Sequence, residues 1–277
     1  MYEERARISS YLSTLDHFGK IGKIHSIFEH SLNLIFEEHL INLTESGNFL
    51  SSFGIQLSQV TFQEILPFCQ LGNVIKMTEH SLTVYSQLGI KRVLFSDIQV
   101  VPLNIRIIKP QVEPLLTLRK ILNTKQLEKR LGLFIGNRER RYFNFLQNTE
   151  IKNKKWSALV EYFVGRGKGL TPSGDDLIMG YLFILKIYGH KVCSVLESQL
   201  QEASDLTTDV SWNYLSVLLS GYASSPFIEL LSGLEERVPY DKLDQLVDEI
   251  LAIGHTSGSD SCYGILLGLS AVQRNFD

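Results

Sequence analysis

One eight-residue pattern occurs twice in this chain and constrains its folding more than any other feature. Ser173-Gly174-x-Asp176-x-x-x-Gly180 returns 84 residues later as Ser257-Gly258-x-Asp260-x-x-x-Gly264. Each copy opens an apolar run, and the next positions also match, Leu182 on Leu266 and Leu185 on Leu269. Ser or Gly ahead of an apolar run reads as a helix N-cap, and acids in the first turn suit the positive end of the helix dipole. For the first copy the cap is expected at Ser173 or Gly174. Leu177 to Tyr188 is apolar almost all round, the pattern of a buried helix. A glycine four residues after the acid lets a second helix approach closely. The two helices are therefore expected to cross or pack side by side. Their N-termini would then meet, gathering Asp175, Asp176, Asp260 and His255 beneath two dipole ends.

The first copy is preceded by a glycine-rich loop, Gly165-Arg166-Gly167-Lys168-Gly169. It is not a Walker A loop, because no Gly-Lys-Ser/Thr closes it, and it lacks the dinucleotide spacing. An anion site is the more general expectation. It would use the backbone of Gly167, Lys168 and Gly169, with Thr171, Ser173, Gly174, Ser257 and Gly258 at the two helix starts. The structural alternative is simply a well-capped pair of helices. Further on, Asp205 to Ser211 offers acids and hydroxyls before another helix. Capping explains them, and Thr207 or Ser211 can also be presented to the same site.

Elsewhere the chemistry is thinner. There is no His-Glu-x-x-His, no zinc spacing and no Gly-x-Ser-x-Gly elbow, and Ser173 has no local base. The run Arg138 to Arg141, broken by Glu139, reads as a solvated face or as a phosphate or partner contact. His25 beside Ser26 reads as a structural histidine, and Asn33 in an apolar strand needs a partner if buried. The formal net charge of −3 leaves no general footprint for nucleic acid. Three scattered cysteines without Cys-x-x-Cys fit a reducing cytoplasm. The mixed-charge start MYEERARISSYL is not expected to be a signal peptide, and no apolar run reaches the roughly 18 residues of a membrane span.

Along the chain the texture changes once. Residues 1 to about 17 read as a short helix or a loosely ordered lead. Short alternating or β-branched runs separated by turns then continue to about Ile108. From Pro110 onward every periodic run has helical spacing. The chain is therefore expected to be α+β, with an antiparallel β barrel or sandwich over 1–110 and an all-helical domain over 111–277 carrying the GLTPSGDD motif.

GLTPSGDDLIMG, with the later GHTSGSD and the earlier IHSIFEHSLNL, resembles one family, that of the AllH-type subunit of oxamate carbamoyltransferase. The motif from Gly169 to Gly180 is distinctive of it. In the later motif Ser259 stands where many members carry a bulky residue. The resemblance implies a cytoplasmic subunit that works with two larger partners in the breakdown of allantoin or purine nitrogen. The implied reaction is carbamoyl transfer between carbamoyl phosphate and oxamate, interconverting with oxalurate and phosphate.

The residues are compatible with that chemistry. Carbamoyl transfer calls for amides and cations aimed at developing negative charge, which the loop around Lys168 and the two helix starts would supply. Asp175, Asp176 and Asp260 would hold Mg²⁺ or Mn²⁺ through oxygen or position the amine nucleophile, and His255 would move the proton. No organic cofactor is expected. Two other classes stay open: a non-catalytic scaffold whose motifs are helix caps at a subunit interface, and a small-anion sensor that regulates a partner.

Overall fold

The computed structural model describes residues 3–15, 20–148 and 153–274. They form two compact units, one of residues 1–104 with 222–225 and one of 105–221 with 226–277.

The first unit is an eight-stranded closed barrel in the order β1-β5-β4-β3-β2-β6-β7-β8. Its strands are β1 (Glu3–Ser9), β2 (Ile21–Ile27), β3 (Ser31–Phe36), β4 (His39–Glu45), β5 (Gly54–Leu57), β6 (Val74–Thr78), β7 (Ser81–Ser86) and β8 (Gly89–Val101). Leu32, Leu34, Ile41, Leu43, Ile75 and Leu82 fill the core. The hairpins β3–β4 and β7–β8 keep the register their alternation predicts, Asn33 opposite Asn42 and Val84 opposite Lys91. Asn33 is buried and satisfied: its Nδ2 donates to Ser26 Oγ at 2.9 Å and its Oδ1 accepts from Asn42 Nδ2 at 3.0 Å.

Three expectations are corrected here. The barrel is mixed rather than antiparallel, because β4 pairs β5 and β1 pairs β8 in parallel. The chain passes from β4 to β5 without a hairpin, so β5 runs with β4, and a closed ring of eight strands cannot hold one parallel pair alone, so β1 and β8 are parallel as well. Second, the lead is a strand followed by a 3-10 turn at Ser10–Thr14, with residues 1–2 and 16–17 outside the described residues. Third, a helix, α1 (Gln59–Ile65), interrupts the strands, capped where the Ser58 side chain accepts from the Thr61 amide.

The second unit is helical. It holds α2 (Val112–Thr124), α3 (Asn137–Asn148), α4 (Asn153–Phe163), α5 (Ser173–Ile187), α6 (Cys193–Gln201), α7 (Asp209–Leu219), α8 (Ser225–Glu236), α9 (Tyr240–Leu251) and α10 (Ser257–Gln273). Ser225, the first residue of α8, is grouped with the barrel. As the apolar runs predict, α5 and α10 are buried on nearly every face.

The glycine spacing sets how these two helices meet. A Cβ on Gly180 would lie 2.0 Å from the Ser261 carbonyl oxygen, and one on Gly264 would lie 2.0 Å from that of Leu177. Shifted by the 84-residue repeat, Gly180 becomes Gly264 and Leu177 becomes Ser261. The contact is therefore reciprocal, as a local two-fold relation requires. The helices run in the same direction and their N-termini share one end.

Candidate functional site

The reciprocity extends into the loops. Helix α4 turns through residues 164–172 into α5, and α9 turns through 252–256 into α10. The Gly174 amide donates to Arg166 O at 2.8 Å, and its counterpart Gly258 donates to Ile253 O at 3.0 Å. A Cβ on Gly174 would meet Phe163 O at 2.0 Å, and one on Gly258 would meet Ile250 O at 2.1 Å. Each helix start is thus pressed against the end of the helix before it, where only glycine fits. Neither copy caps its helix in the expected way. Pro172 and Thr256 hold the cap positions, without a side-chain cap bond.

The serines act across the repeat instead. The Ser257 and Thr171 hydroxyls act to lower the Asp176 carboxyl, and those of Ser173 and Thr256 act to lower that of Asp260. Each motif's serine therefore serves the other motif's aspartate. Thr171 Oγ1 and Ser257 Oγ lie 3.0 Å apart, closing the set on one side. On the other, the Gly132 amide donates to Asp260 Oδ1 at 3.0 Å. A Cβ on Gly132 would overlap Ser173 Oγ at 2.1 Å. Gly132 lies in the loop between α2 and α3, and nothing local in the sequence marks it.

Asp176 is 2% exposed and Asp260 0%. The Oδ2 of each has no hydrogen-bond partner among the described residues. Burial raises the Asp176 carboxyl well above its ordinary range, opposed by Ser257 and assisted by the charges of Asp260 and Asp175. Burial likewise pushes Asp260 up to about 6, against the bonds from Ser173, Gly132 and Thr256. Desolvation wins because no cation makes an ion pair with either acid among the described residues.

Asp175 points the other way and has a different job. Its Oδ1 accepts from the Gly165 amide at 2.8 Å, and its Oδ2 accepts from Ser211 Oγ at 2.7 Å and from the Thr207 hydroxyl. Burial still raises its carboxyl, with the bonds from Thr207, Ser211 and Gly165 opposing. Asp175 thus ties the glycine loop to the start of α7. Thr207 and Ser211 reach this neighbourhood, as the hydroxyl-rich run before α7 allowed.

Gly167, Lys168 and Gly169 are exposed, and their amides make no hydrogen bond among the described residues. Gly167 has φ +136° and Gly169 φ +88°, conformations other residues rarely adopt. His255 is exposed in the shorter loop and bonds none of the three acids among the described residues. The helix-start positions Ser173, Gly174 and Gly258 are buried, while Thr171 and Ser257 are half-buried.

A second anchor holds the glycine loop. Buried Glu139 accepts from the Gly136 amide at 2.9 Å, from the Tyr162 hydroxyl, and from Arg166 at 3.5 Å. Burial alone would raise this carboxyl, but those bonds and the Arg166 charge hold it below the ordinary value. Arg166 and Arg138 both lie over the Tyr162 ring, at 4.2 and 4.1 Å. The cationic run therefore does not form one uniform face. Glu139 is drawn inside, while Arg138 and Arg141 line a surface cavity of ≈ 550 Å³ with Tyr142, Phe145, Lys155 and Ala158. The sequence reading missed Glu139 and Tyr162. One local signal existed, since Gly136-x-x-Glu139 has the spacing of a capping box.

The described residues contain no group of three or more His, Cys, Asp or Glu able to hold a metal ion. The donors that remain unspent are Asp176 Oδ2 and Asp260 Oδ2, both hard oxygen ligands suited to Mg²⁺ or Mn²⁺. They fit such an ion better than Asp175, whose oxygens are engaged.

These features define a helical unit in which two copies of one helix–loop–helix motif interlock around a buried acidic, hydroxyl-rich centre. Residues 163–269 match the family model described as oxamate carbamoyltransferase subunit AllH. The matched span begins at Phe163, against which Gly174 packs, and takes in both motif copies, so the resemblance read from the motifs is borne out. No solved structure matches the chain. Among the described residues no helix is long and apolar enough to cross a membrane.

Proposed function

We propose that this chain is a subunit of a carbamoyltransferase that binds a small anion at its glycine-rich loop. The family match over residues 163–269 supports the subunit assignment. The observation that carries the anion site is the exposed run Gly167-Lys168-Gly169, whose three amides make no hydrogen bond among the described residues and which carries one ammonium side chain. Arg166, held over Tyr162, adds a second cation to that loop.

The reaction in this reading joins the carbamoyl carbon of carbamoyl phosphate to the amide nitrogen of oxamate. The carbon–oxygen bond to phosphate breaks, phosphate departs, and the nitrogen gives up a proton. Loop amides and Lys168 take the growing charge on the phosphate oxygens. His255, exposed beside the second motif, takes the proton. Asp176 and Asp260 would hold a Mg²⁺ or Mn²⁺ ion, which would supply positive charge against the phosphate. Two larger subunits complete the assembly, which serves the breakdown of allantoin or purine nitrogen.

One observation favours a second reading. Ser173, Gly174 and Gly258 are spent on interhelical closure, as a non-catalytic scaffold would use them. Calorimetric titration of the full chain with carbamoyl phosphate separates the two. Saturable binding, weakened at least tenfold by Lys168→Ala with an unchanged melting temperature, is the expected result. No saturable binding by folded wild-type protein moves the assignment to the scaffold.

A further inference from the structure

We propose that the cleft between α3 and α4 binds a nucleoside phosphate. Its lining holds no residue of the glycine-rich loop and none of the buried acidic centre. The proposal therefore goes beyond the anion site of the loop and does not depend on it.

The cleft follows from helical spacing. Arg138, Arg141, Tyr142 and Phe145 stand at i, i+3, i+4 and i+7 on one stripe of α3, and Lys155 and Ala158 stand three apart on α4. These six residues line the cavity of ≈ 550 Å³. Ala158 offers only a methyl group there, so the floor stays open. The Tyr142 hydroxyl donates to Ala158 O at 3.2 Å and ties the two helices together at that point. Sites for cofactor-sized molecules occupy about 300–1,000 Å³. The cavity falls within that range and exceeds what a bare phosphate fills.

Its charge is one-sided. Three cations line it, and no carboxylate does among the described residues. The one acid of the cationic run, Glu139, is buried and spent on Gly136, Tyr162 and Arg166. Arg138 lies over the Tyr162 ring at 4.1 Å and over the Tyr142 ring at 6.0 Å, so its guanidinium is held in place before a ligand arrives. Arg141 donates its Nε to Asn137 O at 3.3 Å, and its two terminal nitrogens donate to nothing among the described residues. Such a pair forms the fork that grips two phosphate oxygens. Lys155 lies over the Phe145 ring at 5.4 Å and completes the set. Three cations without an acid suit a ligand with two or more negative charges.

The rest of the wall is aromatic. Rings flanked by cations receive flat heterocycles, as sites for single-stranded nucleic acid do with bases. A bare polyanion would use the cations and leave Tyr142 and Phe145 without a role. A nucleoside phosphate uses both. A long nucleic-acid strand is disfavoured as the occupant, because the chain as a whole carries a net charge of −3.

ADP and UDP serve as probes, one purine and one pyrimidine. Each is titrated by calorimetry into the full chain in chelator, beside pyrophosphate and adenosine. Saturable binding of one nucleotide per chain is expected, with pyrophosphate and adenosine each at least tenfold weaker. Arg141→Gln removes the fork and Ala158→Leu fills the floor. Both positions are exposed, so an unchanged melting temperature is expected and is checked. Each substitution is expected to weaken nucleotide binding at least tenfold, and Lys168→Ala to leave it unchanged. Absence of saturable binding by both nucleotides overturns the proposal. So does pyrophosphate binding as tightly as the nucleotides, which leaves the rings idle. Binding that falls with Lys168→Ala but not with Arg141→Gln overturns it as well, because the ligand then sits at the glycine-rich loop.

Discussion

Replacing Gly180 by alanine tests the architecture directly. In an ordinary helix this change stabilises, because alanine is favoured over glycine by about 1 kcal/mol. Here the new Cβ would lie 2.0 Å from the Ser261 carbonyl oxygen and 3.0 Å from its Cα. A carbon–oxygen contact tolerates no less than about 3.3 Å, so α5 and α10 must part by more than 1 Å, on the order of 1.3 Å. The obstruction is backbone in the middle of a buried helix, which cannot swing aside as a side chain would. Overpacking of this kind costs about 1–3 kcal/mol, and more where nothing can yield. Setting the helix preference against a cost at the upper end leaves a net loss of about 2 kcal/mol. For a unit of this size that lowers the melting temperature by roughly 4–8 °C. Gly264→Ala, the reciprocal change, should cost about as much. The double variant should cost less than the sum, because separation forced by one methyl group makes room for the other. Thermal and urea unfolding of the three variants measure this. A Gly180→Ala protein as stable as wild type, or more stable, would refute the close crossing, and strict additivity would refute the shared contact.

Other perturbations read other parts of the site. Asp175→Asn puts an amide where the Gly165 N–H, Thr207 and Ser211 all donate, and should cost about 1–3 kcal/mol in urea unfolding, with faster proteolysis in the 165–172 loop. Tyr162→Phe removes one donor to Glu139 but keeps the ring under Arg166, so a loss near 1 kcal/mol and faster amide exchange around Arg166 are expected. The Asp260 carboxyl is raised from 3.8 to about 6, so the folded chain holds its proton more tightly than the unfolded chain. In chelator, stability should therefore fall as pH rises between about 4 and about 6, by roughly 3 kcal/mol at most, with Asp176 extending the decline to higher pH. Asp260→Asn should flatten that part of the slope, as measured by denaturation at stepped pH.

Much of the helical unit was legible in its residues. The all-apolar run after Asp176 announced a buried helix, and the glycine four positions on announced a close neighbour. Helix and strand periodicity, and punctuation such as Gly47-Asn48 and Gly72-Asn73, act over a few residues, so a single chain displays them. Tertiary structure decided what depends on distant partners. The parallel β4–β5 pair, carried round the closed ring, set β8 parallel to β1 and made the barrel mixed, although no residue of those strands encodes direction relative to the others. The crossing of α5 and α10 brought Ser173 to Asp260 and Ser257 to Asp176, where local reading gave Ser173 or Gly174 to its own helix as a cap. It also turned Asp175 toward α7, away from the neighbour with which it had been grouped. Adjacent residues in a helix point about 100° apart, so sequence alone placed three acids at one end of two helices. Only the packing of those helices brought the Asp260 charge to bear on Asp176 and gave Asp175 to Thr207 and Ser211.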